Sequence, residues 1–405
     1  MAARSGMQKK LIIGFFLAPT LLAVLVFNIY PILLNTYVSF TNRNKAHPNP
    51  DCSVLLTSLL DPLCWSGFRD RAPKGLAEPY RLAEPVFKNY QELLGNLFTT
   101  QSLLALSKLF VIFLPLFLAL YFSTRERRSD LPLASPGWIW LYGLLGSILA
   151  AFLLDLAAVY QDILQAGDFL VVITRTLLFV ALRVPVTFAI GFLLAVILNN
   201  PHLSGRTFFR VILFLPWAAS SLAILMARVW EFFFRQQGTI NQVLALLNVE
   251  GKAWLQDPFW ALMAILIADV WFSYPFFMVT ILGALQSIPN EIYEAAEMDG
   301  AGWWRQLFTI TLPLIRPAVL PAIVLTSITA FQMFGTAYAI TGGGPSMGAG
   351  QPGATEFVMV YAYKQIYQSQ NYGRATAFAV ILFILLFGAT LYSMKLSRAT
   401  KGVTE

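Results

Sequence analysis

The stretch WALMAILIADVWFSYPFFMVTILGALQ, residues Trp260–Gln286, carries one formally charged side chain in 27 positions, Asp269. A helix needs about 20 apolar residues to cross bilayer hydrocarbon, so this segment predicts a transmembrane span. Working outward, seven more segments qualify: Leu11–Leu34, Ser102–Phe122, Gly137–Tyr160, Phe169–Asn199, Phe208–Phe234, Pro317–Ile340 and Ala375–Lys395. The first follows Lys9-Lys10 and lacks a small-residue cleavage site. It is too long for a signal-peptide core, so it is expected to stay as an anchor. The fold class is therefore all-α: a polytopic membrane protein of about eight transmembrane helices.

Composition agrees. The chain has 405 residues, 57% hydrophobic and 12% charged, where a soluble domain has roughly 45–50% and 25%. The net charge of +7 does not point to nucleic acid, because the basic residues are scattered between apolar runs. Thirteen of them sit in short connecting segments on one side: Arg4, Lys9, Lys10, Arg125, Arg127, Arg128, Arg206, Arg210, Arg305, Arg316, Lys395, Arg398 and Lys401. By the positive-inside rule that side is cytoplasmic, and so are both termini. The expected location is a cell membrane crossed several times.

Cys52 and Cys64 fall in the long external loop, residues 35–101. They either close a small disulfide ring, which needs an oxidising compartment, or remain two thiols. With two histidines, His47 and His202, and no CxxC, no metal site is expected.

Ionisable residues inside spans need a partner or an aqueous path. They are Lys108, Asp155, Arg175, Arg183, Arg228, Glu231 and Asp269. Arg228 and Glu231, three apart, suit a local ion pair. Lys108, Arg175 and Asp155 suit snorkelling or pairing between helices. Asp269 lies too far from either interface to snorkel. It is either part of a functional site or bonded to a neighbouring helix. Pro185, Pro216, Pro275 and Pro321 each remove a backbone donor from a span and are expected to kink it.

Residues 288–316 form a cytoplasmic loop too polar to span. Asn290 is a candidate N-cap for an amphipathic helix carrying Ile292, Tyr293, Ala296 and Met298. Gly300 breaks it, and a second short helix, Trp303–Thr311, is expected to end before Pro313. Two readings stay open: a knob that docks into a soluble partner, or a helix lying in the interface.

Within this loop, Glu294-Ala295-Ala296, three residues, Gly300, nine residues, Ile310 and then Leu312-Pro313 resemble the EAA signature of ABC importer permeases. Other stretches resemble the carbohydrate-uptake branch, the relatives of the larger maltose-importer permease. They are Phe16-Leu17-Ala18-Pro19, Phe27–Pro31, Gly205–Arg210, Leu213–Trp217, Gly238–Asn241, Trp254–Pro258 and Gly342–Pro345. The resemblance covers the first span and nearly everything after Arg175. It implies a six-helix permease core with an extra helical hairpin inserted at residues 102–168. The expected organisation is 1–34 (N-terminus and first span), 35–101 (external loop), 102–168 (inserted hairpin) and 169–405 (core).

The resemblance also implies roles. Glu294, Ala295, Ala296, Asp299 and Gly300 would form the coupling helix that seats in an ATPase subunit, Glu294 pairing with a basic residue there. Trp217, Ser221, Asp269, Ser273, Phe276, Thr326 and Thr329 match the solute site, with Met333 below. Asp269, Ser273 and Phe276 share a helix face by their spacing, as do Thr326, Thr329 and Met333. Serine and threonine equally often bond their own helix. Met333 and Ala330 are apolar where the maltose relative has polar residues, which argues against maltose itself.

No phosphate-binding loop occurs, and Gly342–Gly350 lacks the Lys-Ser/Thr pair. The chain is expected to be no enzyme and to hold no cofactor, with ATP and Mg bound by an ATPase dimer. The other expected partners are a second homologous permease, an external solute-binding protein and the lipid bilayer. The expected function is import of a sugar or glycosylated polyol by alternating access. The alternatives are a glycerol-phosphate-type solute, an ion-coupled transporter using Asp269 as a proton site, or a membrane-embedded glycosyltransferase, for which no carboxylate cluster is found.

Overall fold

The computed structural model describes residues 2–66, 78–95, 99–126, 136–165 and 167–401, excluding the side chains of 2–12, 66, 120, 124–126, 136–137, 157, 221 and 392–401. The basic side chains of residues 4–10, 125–128 and 395–401, and that of Ser221, lie outside this description. By contacts the chain divides into Met1–Gly95 with Ala362–Gly388, and Asn96–Tyr361 with Ala389–Glu405. These limits follow packing and do not coincide with the sequence boundaries at 34, 101 and 168.

In the first unit, α1 (Ala2–Val24) runs through a π-turn (Leu25–Ile29) into α2 (Tyr30–Val38). A disulfide joins Cys52 and Cys64 around α3 (Leu55–Leu60) and the start of α4 (Pro62–Ser66). The next helix is α5 (Lys88–Leu94). Tyr37, Val38 and Tyr80 form a small core, and Asp61 is buried beside Tyr80. Asp61 accepts from Tyr80 Oη at 2.6 Å and pairs with Arg43 at 3.4 Å. Burial, then the hydrogen bond to Asp61, hold the Tyr80 phenol far above its ordinary range. Gly373 belongs here because its amide donates to Arg43 O at 2.9 Å, and a Cβ on it would stand 2.4 Å from Thr41 O.

The second unit opens with α6 (Thr100–Glu126), α7 (Pro136–Leu153) and α8 (Leu156–Gln165). It continues through α9 (Asp168–Asn199), α10 (Arg206–Ala218), α11 (Ala223–Phe234), α12 (Thr239–Leu246) and α13 (Pro258–Gln286). Next are α14 (Asn290–Met298), α15 (Trp303–Gln306), α16 (Leu312–Phe331) and α17 (Gly335–Thr341). Helices α18 (Val358–Tyr367) and α19 (Tyr372–Lys401) follow in the chain, with their residues 362–367 and 372–388 belonging to the first unit. Among the described residues, six spans are long and apolar enough to cross a membrane, and two bent pairs bring the number to eight.

Two spans are bent pairs: the kink expected at Pro216 is a full fold, and Gly137–Tyr160 is bent as well. Phe208–Phe234 is folded by 98°, where Ala219–Leu222 forms a 3-10 turn after Pro216 has removed a donor. Gly137–Tyr160 is folded by 71°. There Asp155 stands at φ 49°. It accepts the Ala158 amide at 3.3 Å and starts α8.

The seventh span is corrected. Trp303–Thr311 is no separate short helix: it passes through a π-turn (Leu307–Thr311) into α16, which stops at Phe331 and not at Ile340. The same device precedes Pro31 in the first span. A proline clashes with the carbonyl four residues back. For Pro313 and Pro31 that residue is Thr309 and Phe27, each inside a π-turn that absorbs the clash.

The other span charges find partners. Lys108 bonds Asp162 at 2.9 Å. Arg175 donates to Tyr160 Oη and to Pro352 and Gly353 carbonyls at 3.0, 3.0 and 2.6 Å. Glu231 holds Arg228 at 2.8 Å and Arg235 at 3.1 Å.

The main core lies where α9 crosses α13, with α16 alongside. Thr187, Gly191 and Ala195 form a buried small-residue stripe on α9, the pattern that lets membrane helices approach closely. A Cβ on Gly191 would lie 2.6 Å from Phe277 Cβ and 2.9 Å from Tyr274 O. Gly191→Val should therefore cost about 1–3 kcal/mol by overpacking. Gly283→Ala, where a methyl meets nothing within 4 Å, should stay within about 0.5 kcal/mol. Thermal unfolding in detergent, comparing both with the parent protein, checks this pair.

Candidate functional site

Within the second unit, α9, α10, α13 and α16 border a cavity of about 460 Å³. Trp217, Asp269, Ser273, Phe276, Thr326, Thr329 and Met333 all line it, so the structure brings together the residues singled out on three separate spans. The Ser221 side chain lies outside the described residues, and its neighbour Ser220 lines the cavity. Two interrupted stretches reach the same space: Ser220 from the turn between α10 and α11, and Met333 and Phe334 from the break between α16 and α17. Irregular backbone at membrane depth is tolerated where it is buried in protein or borders such a cavity.

The centre of the site is a residue that sequence reasoning recorded without assigning. Arg183, on α9, pairs through Nε with Asp269 Oδ2. Its other two nitrogens reach Ser273 Oγ at 2.6 Å and the Thr326 carbonyl at 3.1 Å. Both charges are buried, Arg183 5% and Asp269 7% exposed, so each makes the other tolerable. One guanidinium thus joins α9, α13 and α16 beneath the cavity, and the site is electrically neutral there. A signal existed: Arg183 lies four residues before Thr187, on the stripe that faces α13.

The remaining groups divide as helix chemistry dictates. Thr329 Oγ1 donates to its own helix at Thr326 O, 3.0 Å away. Ser273 is committed to Arg183. Trp217 keeps 42% of its surface exposed and lies tilted against Phe214, ring centroids 5.1 Å apart. An open indole beside hydroxyls and a neutralised ion pair suits the apolar face and hydroxyl rim of a polyol ring.

The second feature is α14. Asn290 is its first helical residue and not the expected N-cap; Pro289 holds that place without a side-chain bond. Glu294, Ala295, Asp299 and Gly300 are exposed and Ala296 is half-buried. Gly300 sits at φ +73°, with Gly300 N bonded to Glu297 O and Ala301 N to Ala296 O, both at 2.9 Å. This is a Schellman ending, which glycine adopts without Cβ strain. Two bonds fix the turn to the base of the next span: Tyr293 Oη to Thr311 Oγ1 at 3.1 Å and Gln306 Nε2 to Ala301 O at 3.0 Å.

Residues 188–396 match the family model for "binding-protein-dependent transport system inner membrane component". The chain belongs to this family. It is a membrane-spanning transport subunit, which sets aside the ion-coupled and glycosyltransferase alternatives. The permease is 35% identical over 240 residues to the trehalose/maltose transport system permease MalF of Thermococcus litoralis, covering 59% of this chain and 78% of the relative. It is 34% identical over 224 residues to the sulfoquinovosyl glycerol permease SmoG of Agrobacterium fabrum, covering 55% and 70%. It is 32% identical over 246 residues to the maltose/maltodextrin permease MalF of Klebsiella aerogenes, covering 59% of this chain and about half (48%) of that relative.

The buried pair yields a double-mutant cycle. Arg183→Met or Asp269→Leu alone should destabilise the permease by about 3–5 kcal/mol, because each leaves an uncompensated charge. The double variant should recover much of that loss. Thermal unfolding of all four proteins checks the coupling.

Proposed function

We propose that the permease carries a neutral sugar or glycosylated polyol through the cavity at Trp217, Asp269 and Thr326. Partner ATPases docked on α14 drive it, and an external binding protein delivers the solute. The observation that carries the solute class is the charge balance at Arg183. A phosphorylated glycerol would meet that guanidinium only with Asp269 already held against it, whereas a neutral polyol meets hydroxyls, carbonyls and an indole. The names of the relatives, which include maltose, trehalose and sulfoquinovosyl glycerol systems, support the same class.

A second, homologous permease completes the path in this reading, supplying the wall that faces Asp269 and the threonines of α16. ATP binding and hydrolysis occur on the partners, and alternating access follows their closure and reset. In this orientation α14 faces the cytoplasm, with both termini on that side. The exposed Glu294 is the group for a basic residue of the ATPase, and Gly300 ends the helix so that it presents one short knob.

Uptake by the assembled importer, with its binding protein and a panel of mono- and disaccharides, tests the solute. Trp217→Ala should raise the half-saturating concentration about tenfold, the equivalent of 1.4 kcal/mol, with a normal amount of membrane protein. Glu294→Lys should abolish solute-stimulated ATP hydrolysis or ATPase association while binding-protein docking persists. Full uptake by the Glu294→Lys importer would refute docking through α14, and uptake of glycerol phosphates in preference to every sugar would refute the solute class.

A further inference from the structure

The ring closed by Cys52 and Cys64 has its polarity inverted. On α3, Leu55, Leu56 and Leu59 are 74%, 50% and 58% exposed, and Trp65 beyond it is 61% exposed. Two polar residues of the same ring point inward, Thr57 at 1% and Asp61 at 2% exposed, while Ser53 stays exposed. Soluble surfaces place such residues the other way round, and an apolar cluster of this kind marks a contact.

Depth is fixed by the first span. Counting about 20 residues at 1.5 Å each from Leu11 places the far edge of the hydrocarbon near Tyr30. Tyr30 Oη donates to Leu60 O at 2.7 Å, and its ring lies 5.8 Å from that of Trp65. Higher on the same helix, Tyr37 Oη meets Thr57 Oγ1 at 2.5 Å. The ring is therefore fastened alongside the helix with its lower end at the level where tyrosine and tryptophan gather in membranes. The Trp65 indole N–H is already given to Ser58 O at 2.8 Å, so what remains of it is apolar.

We propose that this ring is a lipid-inserted wedge. Leu55, Leu56, Leu59 and Trp65 enter the acyl–headgroup boundary of the leaflet at the opposite end of the first span from Lys9 and Lys10. The occupant of the leucine face is lipid, because the ring is continuous with a membrane-spanning helix at boundary depth. A helix of six residues is too short to persist alone. The disulfide, spanning 12 positions, supplies the constraint that keeps its leucines on one side. The residues 35–101 are thus not a purely aqueous loop.

The test uses the full chain, with any subunits that copurify, in phosphatidylcholine–phosphatidylglycerol nanodiscs. A nitroxide on Leu59→Cys should collide readily with oxygen and several-fold less with a water-soluble nickel chelate than one on Glu78→Cys, an exposed polar position. Equal nickel collisions at both positions would overturn the wedge and leave the leucine face to a protein partner. Brominated lipids give a second readout that leaves the cysteines untouched. The emission difference between the parent protein and Trp65→Phe should be quenched by lipids brominated near the headgroup. An unquenched difference overturns the proposal.

Discussion

An arginine and an aspartate buried in an apolar bundle are tolerable only together, and the pair Arg183–Asp269 sets the terms for everything around it. The two residues lie on α9 and α13, so those helices must run within a side chain's reach. The small stripe Thr187, Gly191 and Ala195 meets that demand one to three turns further along. The guanidinium then needs acceptors for its other nitrogens and takes them from Ser273 and the Thr326 carbonyl, which draws α16 into the same cluster. Replacing the pair by apolar residues could preserve packing, but it would leave the cavity floor without charge or hydrogen bonds. In the site proposed here, specificity and helix arrangement rest on the same four groups.

The walls of the cavity come from the failure of helices to continue. Pro216 and the 3-10 turn at Ala219–Leu222 divert α11 from α10, and α16 stops at Phe331 before α17 resumes at Gly335. Proline alone does not explain these breaks, since α9, α13 and α16 pass through Pro185, Pro275, Pro317 and Pro321 without ending. A proline in a span bends or breaks it according to whether the freed carbonyl finds another partner or a π-turn takes up the extra residue.

Apolar length located the spans well, because crossing a bilayer imposes a composition that a single sequence displays. Phe169–Asn199 and Trp260–Gln286 were legible almost to the residue. The size of the bends was not: Pro216 signalled a kink in Phe208–Phe234, but an apolar run does not show whether the kink is slight or a 98° fold. The gathering of Trp217, Asp269, Ser273 and Thr326 around one cavity was legible through spacing and resemblance. Arg183 was not, because its meaning depends on which helix crosses α9. The inverted ring at Cys52–Cys64 escaped for a similar reason: its leucines look like an ordinary short helix core until Tyr30 fixes their depth.

Helix α14 and the cavity are linked through α16. Tyr293 on α14 bonds Thr311, which opens directly into α16. From Thr311 to Thr326 is 15 residues of helix, or about 22 Å at 1.5 Å per residue. Thr326 in turn presents its carbonyl to Arg183. A displacement of α14 therefore has a continuous route to the ion pair, through one hydrogen bond, one helix and a second hydrogen bond. Helices transmit such displacements as nearly rigid bodies, and the receiving end is an ion pair with strict geometric needs. The π-turn at Leu307–Thr311 stands at the start of that route, and π-bulges are frequent at functional sites.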